Sequence, residues 1–196
     1  MKRIILGCVA LVIVLSSKAQ TFRILTGLSV SKTDWSAGYY GYNDNLVSIS
    51  SGFEVNYFEH KLWRINSRIG YVERGGMYKD KYSTKSYFFM NYATINTTLA
   101  FKIHTKNLDP YFSVGPRFDY LLSSSCYSSL TYYHFNKINY GFDLGLGADK
   151  SITDKFLIGL DITYSHQIND IINNLDNKRI TSIYGILVNL CLGLML

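Results

Sequence analysis

The sequence predicts an all-β protein, an eight-stranded antiparallel up-and-down transmembrane β-barrel, and three observations carry that expectation. After Gln20, apolar residues recur at every second position in eight runs separated by turn-type residues. The connections between the runs alternate between short and long. The chain is 47% hydrophobic and 15% aromatic but only 17% charged, with Gly 15 against Pro 2. That profile excludes a disordered chain. A mean hydropathy of +0.03 excludes a bundle of membrane-spanning helices, yet suits a barrel whose strands average one apolar and one polar face.

The first segment stands apart. Met1-Lys2-Arg3 is basic, Ile4 to Leu15 is an apolar run, and Ser16-Ser17-Lys18-Ala19 ends in small residues. This reads as a signal peptide over residues 1–19, cleaved between Ala19 and Gln20, because the run is too short for the roughly twenty residues of a spanning helix. The barrel domain then covers residues 20–196. Cys8 lies too near the basic start, with apolar residues following it, to read as a lipidation site. The formal net charge is +6, of which Lys2, Arg3 and Lys18 supply three, so the mature chain carries +3. No basic patch interleaved with aromatics remains, and nucleic acid is not implied. Cys126 and Cys191 survive cleavage, but their spacing indicates no disulfide.

Each run divides into two faces. In the first, Phe22, Ile24, Leu28 and Val30 oppose Arg23, Gly27 and Ser29; in the second, Val47, Ile49, Phe53, Val55 and Tyr57 oppose Ser48, Ser50, Gly52, Glu54 and Asn56. Trp63, Ile65, Ile69 and Tyr71 oppose Arg64, Asn66, Arg68 and Gly70. In the fourth run Ala93, Ile95, Leu99, Phe101 and Ile103 oppose Tyr92, Thr94, Asn96, Thr98 and Lys102, and in the fifth Phe112, Val114, Phe118 and Tyr120 oppose Ser113, Gly115, Arg117 and Asp119. The sixth sets Ile138, Tyr140, Phe142, Leu144 and Leu146 against Asn139, Gly141, Asp143, Gly145, Gly147 and Asp149. The last two set Phe156, Ile158, Leu160, Ile162 and Tyr164 against Gly159, Asp161 and Thr163, and Tyr184 to Leu196 against Gly185, Asn189, Cys191 and Gly193.

Short links around His60, Lys106 and Thr153 face long polar ones near 32–46, 79–86, 123–136 and 166–181. Two aromatic bands follow, with Tyr57, Trp63, Phe101, Phe112 and Phe156 near the short turns and Tyr71, Phe118, Tyr120, Tyr140, Tyr164 and Tyr184 near the long loops. A soluble eight-stranded barrel shares the alternation but turns its apolar face inward. The bulky, banded apolar face and the glycine-rich polar face favour the membrane reading, as does the absence of a sheet edge in a closed barrel.

Several motifs carry a family resemblance. They are Arg74-Gly75-Gly76 closing the third strand, the strand Tyr92 to Lys102, Pro110-Tyr111 with Val114-Gly115-Pro116, and Tyr120-Leu121-Leu122. Tyr140-Gly141-Phe142, Leu146-Gly147-Ala148 and Thr163-Tyr164 complete the set. Over nearly its whole length the mature chain resembles the PorT-like outer-membrane β-barrel proteins of Bacteroidetes. The resemblance implies an eight-stranded barrel in the cell outer membrane and little about activity, although one family member is tied to protein secretion. Tyr92-Ala93-Thr94-Ile95-Asn96 stands where the family usually reads Tyr-Leu-Glu-Ile-Pro, so that inward carboxylate is missing.

The inward face carries Arg23, Arg64, Arg68, Lys102 and Arg117 against Glu54, Asp119, Asp143, Asp149 and Asp161. A balanced set predicts a structural polar network, since an unpaired buried charge costs several kcal/mol. Side chains fill an eight-stranded lumen, so a diffusion pore is not expected. Glycines 141, 145, 147 and 159 leave room for arginines reaching from the opposite wall. If Phe58 faces Leu62, Glu54 falls opposite Asn66 and diagonal to Arg64 and Arg68. If Asp149 faces Lys155, Asp143 falls opposite Asp161, and two facing carboxylates resist joint ionisation. That pair reads either as an acid/base dyad or as a structural cluster bridged by Arg117.

Other chemistry is sparse. His60 and His104 fall in short turns, His134 and His166 near long loops, and no cofactor or metal pattern emerges. Ser165 and His166 point to opposite faces and make no triad. The loop residues Tyr39, Tyr40, Tyr42, Tyr132 and Tyr133 form either an interaction surface or an extension of the outer aromatic band. The sequence therefore predicts a non-enzymatic outer-membrane barrel with a structural or interaction role. Its expected partners are outer-membrane lipid and an extracellular or periplasmic protein. The alternatives are a PorT-like component of a secretion system and an outer-membrane lipid-modifying enzyme.

Overall fold

The computed structural model describes residues 19–36, 42–79, 85–103, 105, 108–127, 135–171 and 179–196. Its strands are β1 (Ala19–Ser36), β2 (Tyr42–Asp44), β3 (Leu46–Glu59), β4 (Trp63–Lys79), β5 (Lys85–Lys102), β6 (Asp109–Tyr127), β7 (Ile138–Ser151), β8 (Phe156–Gln167) and β9 (Arg179–Met195). Every pairing is antiparallel, and β1 closes onto β9. The short β2 pairs with the end of β4, Tyr42 facing Lys79, and so prolongs β3 beyond Asn45. The result is a closed barrel of eight long strands.

Alternation decides the two surfaces. Ile24, Leu28 and Leu146 are 50%, 52% and 62% exposed, whereas Arg23 and Glu54 on the other face are 0% and 2% exposed. Apolar side chains point out and charges point in, the reverse of a soluble barrel. The outward apolar stretch Phe22 to Val30 in β1 spans nine positions, which at about 3.3 Å per residue and roughly 40° of tilt rises about 23 Å. That matches the roughly 25 Å lipid-facing band of outer-membrane barrels.

The strands outrun that band. β1, β4, β5 and β6 have 18, 17, 18 and 19 residues, against about 9–11 needed to cross a bilayer. The excess lies on the long-loop side, so segments read from the sequence as loop, among them 32–36, 85–86 and 123–127, continue the barrel wall. Arg74-Gly75-Gly76 accordingly lies within β4 and does not end it. The two-sided pattern fades there because water, unlike hydrocarbon, does not demand an apolar outer face.

Two turns reset the expected registers. Phe58 adopts φ of 59° and the register jumps between Tyr57 and Glu59, so Glu54 pairs with Arg68 rather than with Asn66. The β7–β8 turn is wider than expected. There Thr153 Oγ1 accepts from the Lys155 and Phe156 amides at 3.2 and 3.1 Å, and Ser151 faces Leu157. Asp149 thus faces Gly159, Asp143 faces Ser165, and Asp161 faces Gly147. The two aspartates are not cross-strand partners.

Candidate functional site

The inward face is divided into layers along the barrel axis. On the short-turn side, Glu54 accepts from Arg23 Nη1 at 2.7 Å through Oε1, and from Arg68 Nη2 and Nε at 2.8 and 3.1 Å through Oε2. Asp149 takes Arg23 Nη2 and Arg64 Nη1, both at 2.8 Å. Asp161 takes Arg68 Nη2 at 3.3 Å, the Thr163 hydroxyl at 2.7 Å and the Tyr111 hydroxyl at 3.1 Å. Three arginines thus meet three carboxylates. Tyr111 stands among them, its ring centre 4.6 Å below the Arg64 guanidinium.

A second cluster follows towards the loops. Asp119 Oδ2 accepts from Arg74 Nη1 at 2.7 Å and Arg117 Nε at 2.9 Å. Asp143 accepts from Arg117 Nη1 and Ser165 Oγ, both at 2.7 Å, and from Asn96 Nδ2 at 2.6 Å. Two arginines meet two carboxylates. Each cluster is separately neutral, which is the condition under which buried charges are tolerable in so narrow a space. Lys102 pairs with Glu59 at the short-turn mouth.

Above the second cluster the lumen turns apolar. Val72, Phe88, Met90, Tyr92, Ile183 and Leu187 project inward and enclose Ile171, with Leu121 and Phe135 packed against them. Ile171 comes from the segment after β8, and its carbonyl accepts the Asn136 amide at 2.8 Å. Nearby, Asn169 donates to Asn139 Oδ1 at 3.1 Å and accepts the Tyr140 amide at 2.9 Å. These bonds hold the segment across the loop-side mouth.

Glycine makes the crowding feasible. A Cβ at Gly147 would lie 2.3 Å from the Tyr111 ring, and one at Gly159 would lie 2.3 Å from Asp149 Oδ1 and 3.0 Å from Arg23 Nη2. Gly159 thus makes room for an arginine, as the sequence suggests, and Gly147 for a tyrosine.

All ten charged residues of the expected network lie inside the barrel, but their partners differ from the expected ones. Asp143 and Asp161 sit in separate clusters, and Arg117 joins Asp143 to Asp119, not to Asp161. A facing aspartate dyad is therefore absent. Sequence reasoning missed Arg74, Tyr111, Asn96, Ser165 and Glu59 as members. Arg74 shares the parity of Arg64 and Arg68, and extending β4 past Tyr71 reveals it; Tyr111 shares the parity of Ser113. Nothing local marks Glu59, because the register jump at Phe58 sets its direction.

Cys191 is a buried free thiol on the inward face. His60 stacks on Trp63 in the first short turn with ring centres 6.0 Å apart, and His166 points outward. Tyr39, Tyr40, Tyr132, Tyr133, His104, His134 and residues 1–18 lie outside the described residues. Tyr42 opens β2, and Ala19 and Gln20 open β1.

A closed barrel with an uncharged, bulky outer band and a charge-paired interior is built for lipid. Residues 19–173 match the family described as outer membrane protein beta-barrel domain. The chain belongs to this family. Solved structures share the fold. The outer membrane protein OprG from Pseudomonas aeruginosa superposes with a TM-score of 0.62 at 13% identity, over 91% of this chain and 98% of that one. AlkL, determined in lipid bilayers, gives 0.53 at 12% identity over 89% and 90%. Neisserial surface protein A gives 0.50 at 13% identity over 89% and 97%. No curated protein sequence matches the chain. Family and exterior together locate this barrel in the outer membrane.

Proposed function

We propose that this outer-membrane barrel is a closed, non-enzymatic scaffold that acts through its loop-side surface on a protein partner. The observation that supports this reading most is the filled lumen. Two neutral ion clusters and an apolar layer succeed one another between the two mouths, and a solute would have to break several buried ion pairs to pass. The strands that rise beyond the lipid band make a stiff platform for the connecting segments. Outward on that platform, Tyr87 and Phe89 stack with ring centres 6.5 Å apart. Aromatic side chains of this kind are enriched at protein interfaces. Tyr39, Tyr40, Tyr42, Tyr132 and Tyr133 belong to the same proposed surface.

Reconstitution into planar bilayers tests the closed lumen: no steady unitary conductance is expected, and a reproducible open channel would overturn it. Cross-linking from the loop-side surface in intact cells tests the partner.

The second reading, a PorT-like secretion component, draws on the motifs Val114-Gly115-Pro116 and Tyr120-Leu121-Leu122. Co-purification with a periplasmic complex would favour it. The lipid-modifying enzyme is the least supported reading, since Ser165 is bonded to Asp143 inside the barrel while His166 faces outward. Unaltered lipid A on deletion is the expected result.

A further inference from the structure

The outer face changes character where the lipid band ends on the β1, β9, β8 and β7 side of the barrel. Lys32, Tyr184, His166 and Phe142 are successive cross-strand neighbours on β1, β9, β8 and β7, and all point outward and are half-buried. The row one step closer to the short turns is Val30, Ile186, Tyr164 and Leu144, wholly hydrocarbon apart from one phenol. Lys32 and His166 therefore stand at headgroup level, on the strands either side of Tyr184. On the next row away from the membrane the backbone of Asp34 pairs with that of Ser182.

The imidazole is held in place. Its ring stacks on Tyr164 with centres 6.3 Å apart and an 18° tilt, and lies 5.4 Å from the Phe142 ring. His166 Nδ1 is 3.5 Å from the Tyr164 hydroxyl, while Nε2 has no partner among the described residues. Lys32 likewise has no ion-pair partner there.

An independent feature lies directly beneath. A groove of about 250 Å³ runs over β6, β7, β8 and β9, lined by Phe112, Leu144, Leu146, Ile162, Tyr164 and Ile186 around Gly145. Tyr164, Leu144 and Ile186 belong both to this groove and to the row under the basic pair. A polar edge carrying Lys32, Tyr184 and His166 thus surmounts an apolar trough, the two overlapping on β8 and β9.

We propose that Lys32, Tyr184 and His166 bind the phosphate of a membrane lipid in the loop-side leaflet, with one of its acyl chains lying in the Leu144–Ile162–Ile186 groove. A phosphate offers several acceptor oxygens to three donors carried on adjacent strands, side chains about 5 Å apart. The lysine stem lies along the apolar wall while its ammonium reaches the headgroups. This site depends on the barrel lying in a bilayer and not on the lumen being closed.

The test uses the full chain in non-ionic detergent, with dioleoyl phosphatidic acid as probe and native mass spectrometry as readout. Wild type should retain phosphatidic acid and release diacylglycerol carrying the same chains. The double variant Lys32→Gln, His166→Gln should hold phosphatidic acid roughly tenfold more weakly, and Lys32→Arg should bind as wild type. Heat-dependent gel mobility confirms that each variant is folded. Equal retention by the double variant overturns the site, and so does displacement of the lipid by inorganic phosphate at comparable concentration, which would mark a free-anion site. Bilayer conductance is scored separately, so a leaky barrel that still selects phosphatidic acid leaves this site standing and removes only the closed-lumen reading.

Discussion

The two ends of the lumen solve one packing problem by opposite means. Near the short turns the interior is filled by arginines and carboxylates that complete one another's hydrogen bonds. Near the loops it is filled by Val72, Phe88, Met90 and Leu187 around Ile171. Inside a barrel whose exterior rests in lipid, hydrophobic burial gains nothing from turning a side chain inward at membrane depth, because outward is equally apolar. Charges paired across the lumen therefore specify the inside there. Beyond the lipid band the outside is water and ordinary hydrophobic burial returns, which is where the apolar layer sits.

If that division is right, removing one partner should cost most in the ionic half. Glu54→Ala leaves Arg23 and Arg68 without their shared carboxylate and should destabilise the barrel by about 3–5 kcal/mol, read from the urea midpoint of folded barrel on gels. A loss under about 1 kcal/mol would mean that water compensates the arginines, contrary to a dry cluster. In the apolar half, Met90→Ala should cost about 2–5 kcal/mol with a wide spread, since part of the void can collapse. It should also speed hydrogen exchange of the amides in 168–171, while leaving exchange around Glu54 unaltered.

Gly147→Ala probes how tightly the ionic half is packed. A methyl group against the Tyr111 ring should cost about 1–3 kcal/mol, and Tyr111→Leu in the same chain should relieve it in a double-mutant cycle. The smallest expected effect concerns the two aspartates. Asp143→Asn and Asp161→Asn act on different arginines, so their costs should add to within about 0.5 kcal/mol. Strong coupling between them would restore the dyad that the register removes.

Much of this was legible along the chain because the period-two pattern is a local property of a strand. Residues such as Arg23, Glu54, Arg117 and Asp161 declare their common face through their neighbours, and outside the bilayer that signal weakens, which hid Arg74 and the upper parts of β5 and β6. The partner of each charge was not legible. It depends on how many residues each turn consumes, and neither the positive φ of Phe58 nor the wide turn held by Thr153 is written in the apolar pattern. Both turns displaced the expected pairing by an even number of residues, so every side chain kept its face while changing its neighbour.

By itself, then, the sequence determined the strand count, the two faces and the charge balance within them, because alternation follows from backbone geometry alone. Tertiary closure decided which arginine meets which carboxylate, where the interior turns apolar, and that Lys32 and His166 flank Tyr184 above a groove. Those are relations between strands distant in sequence, set by register and shear, and no local pattern encodes them.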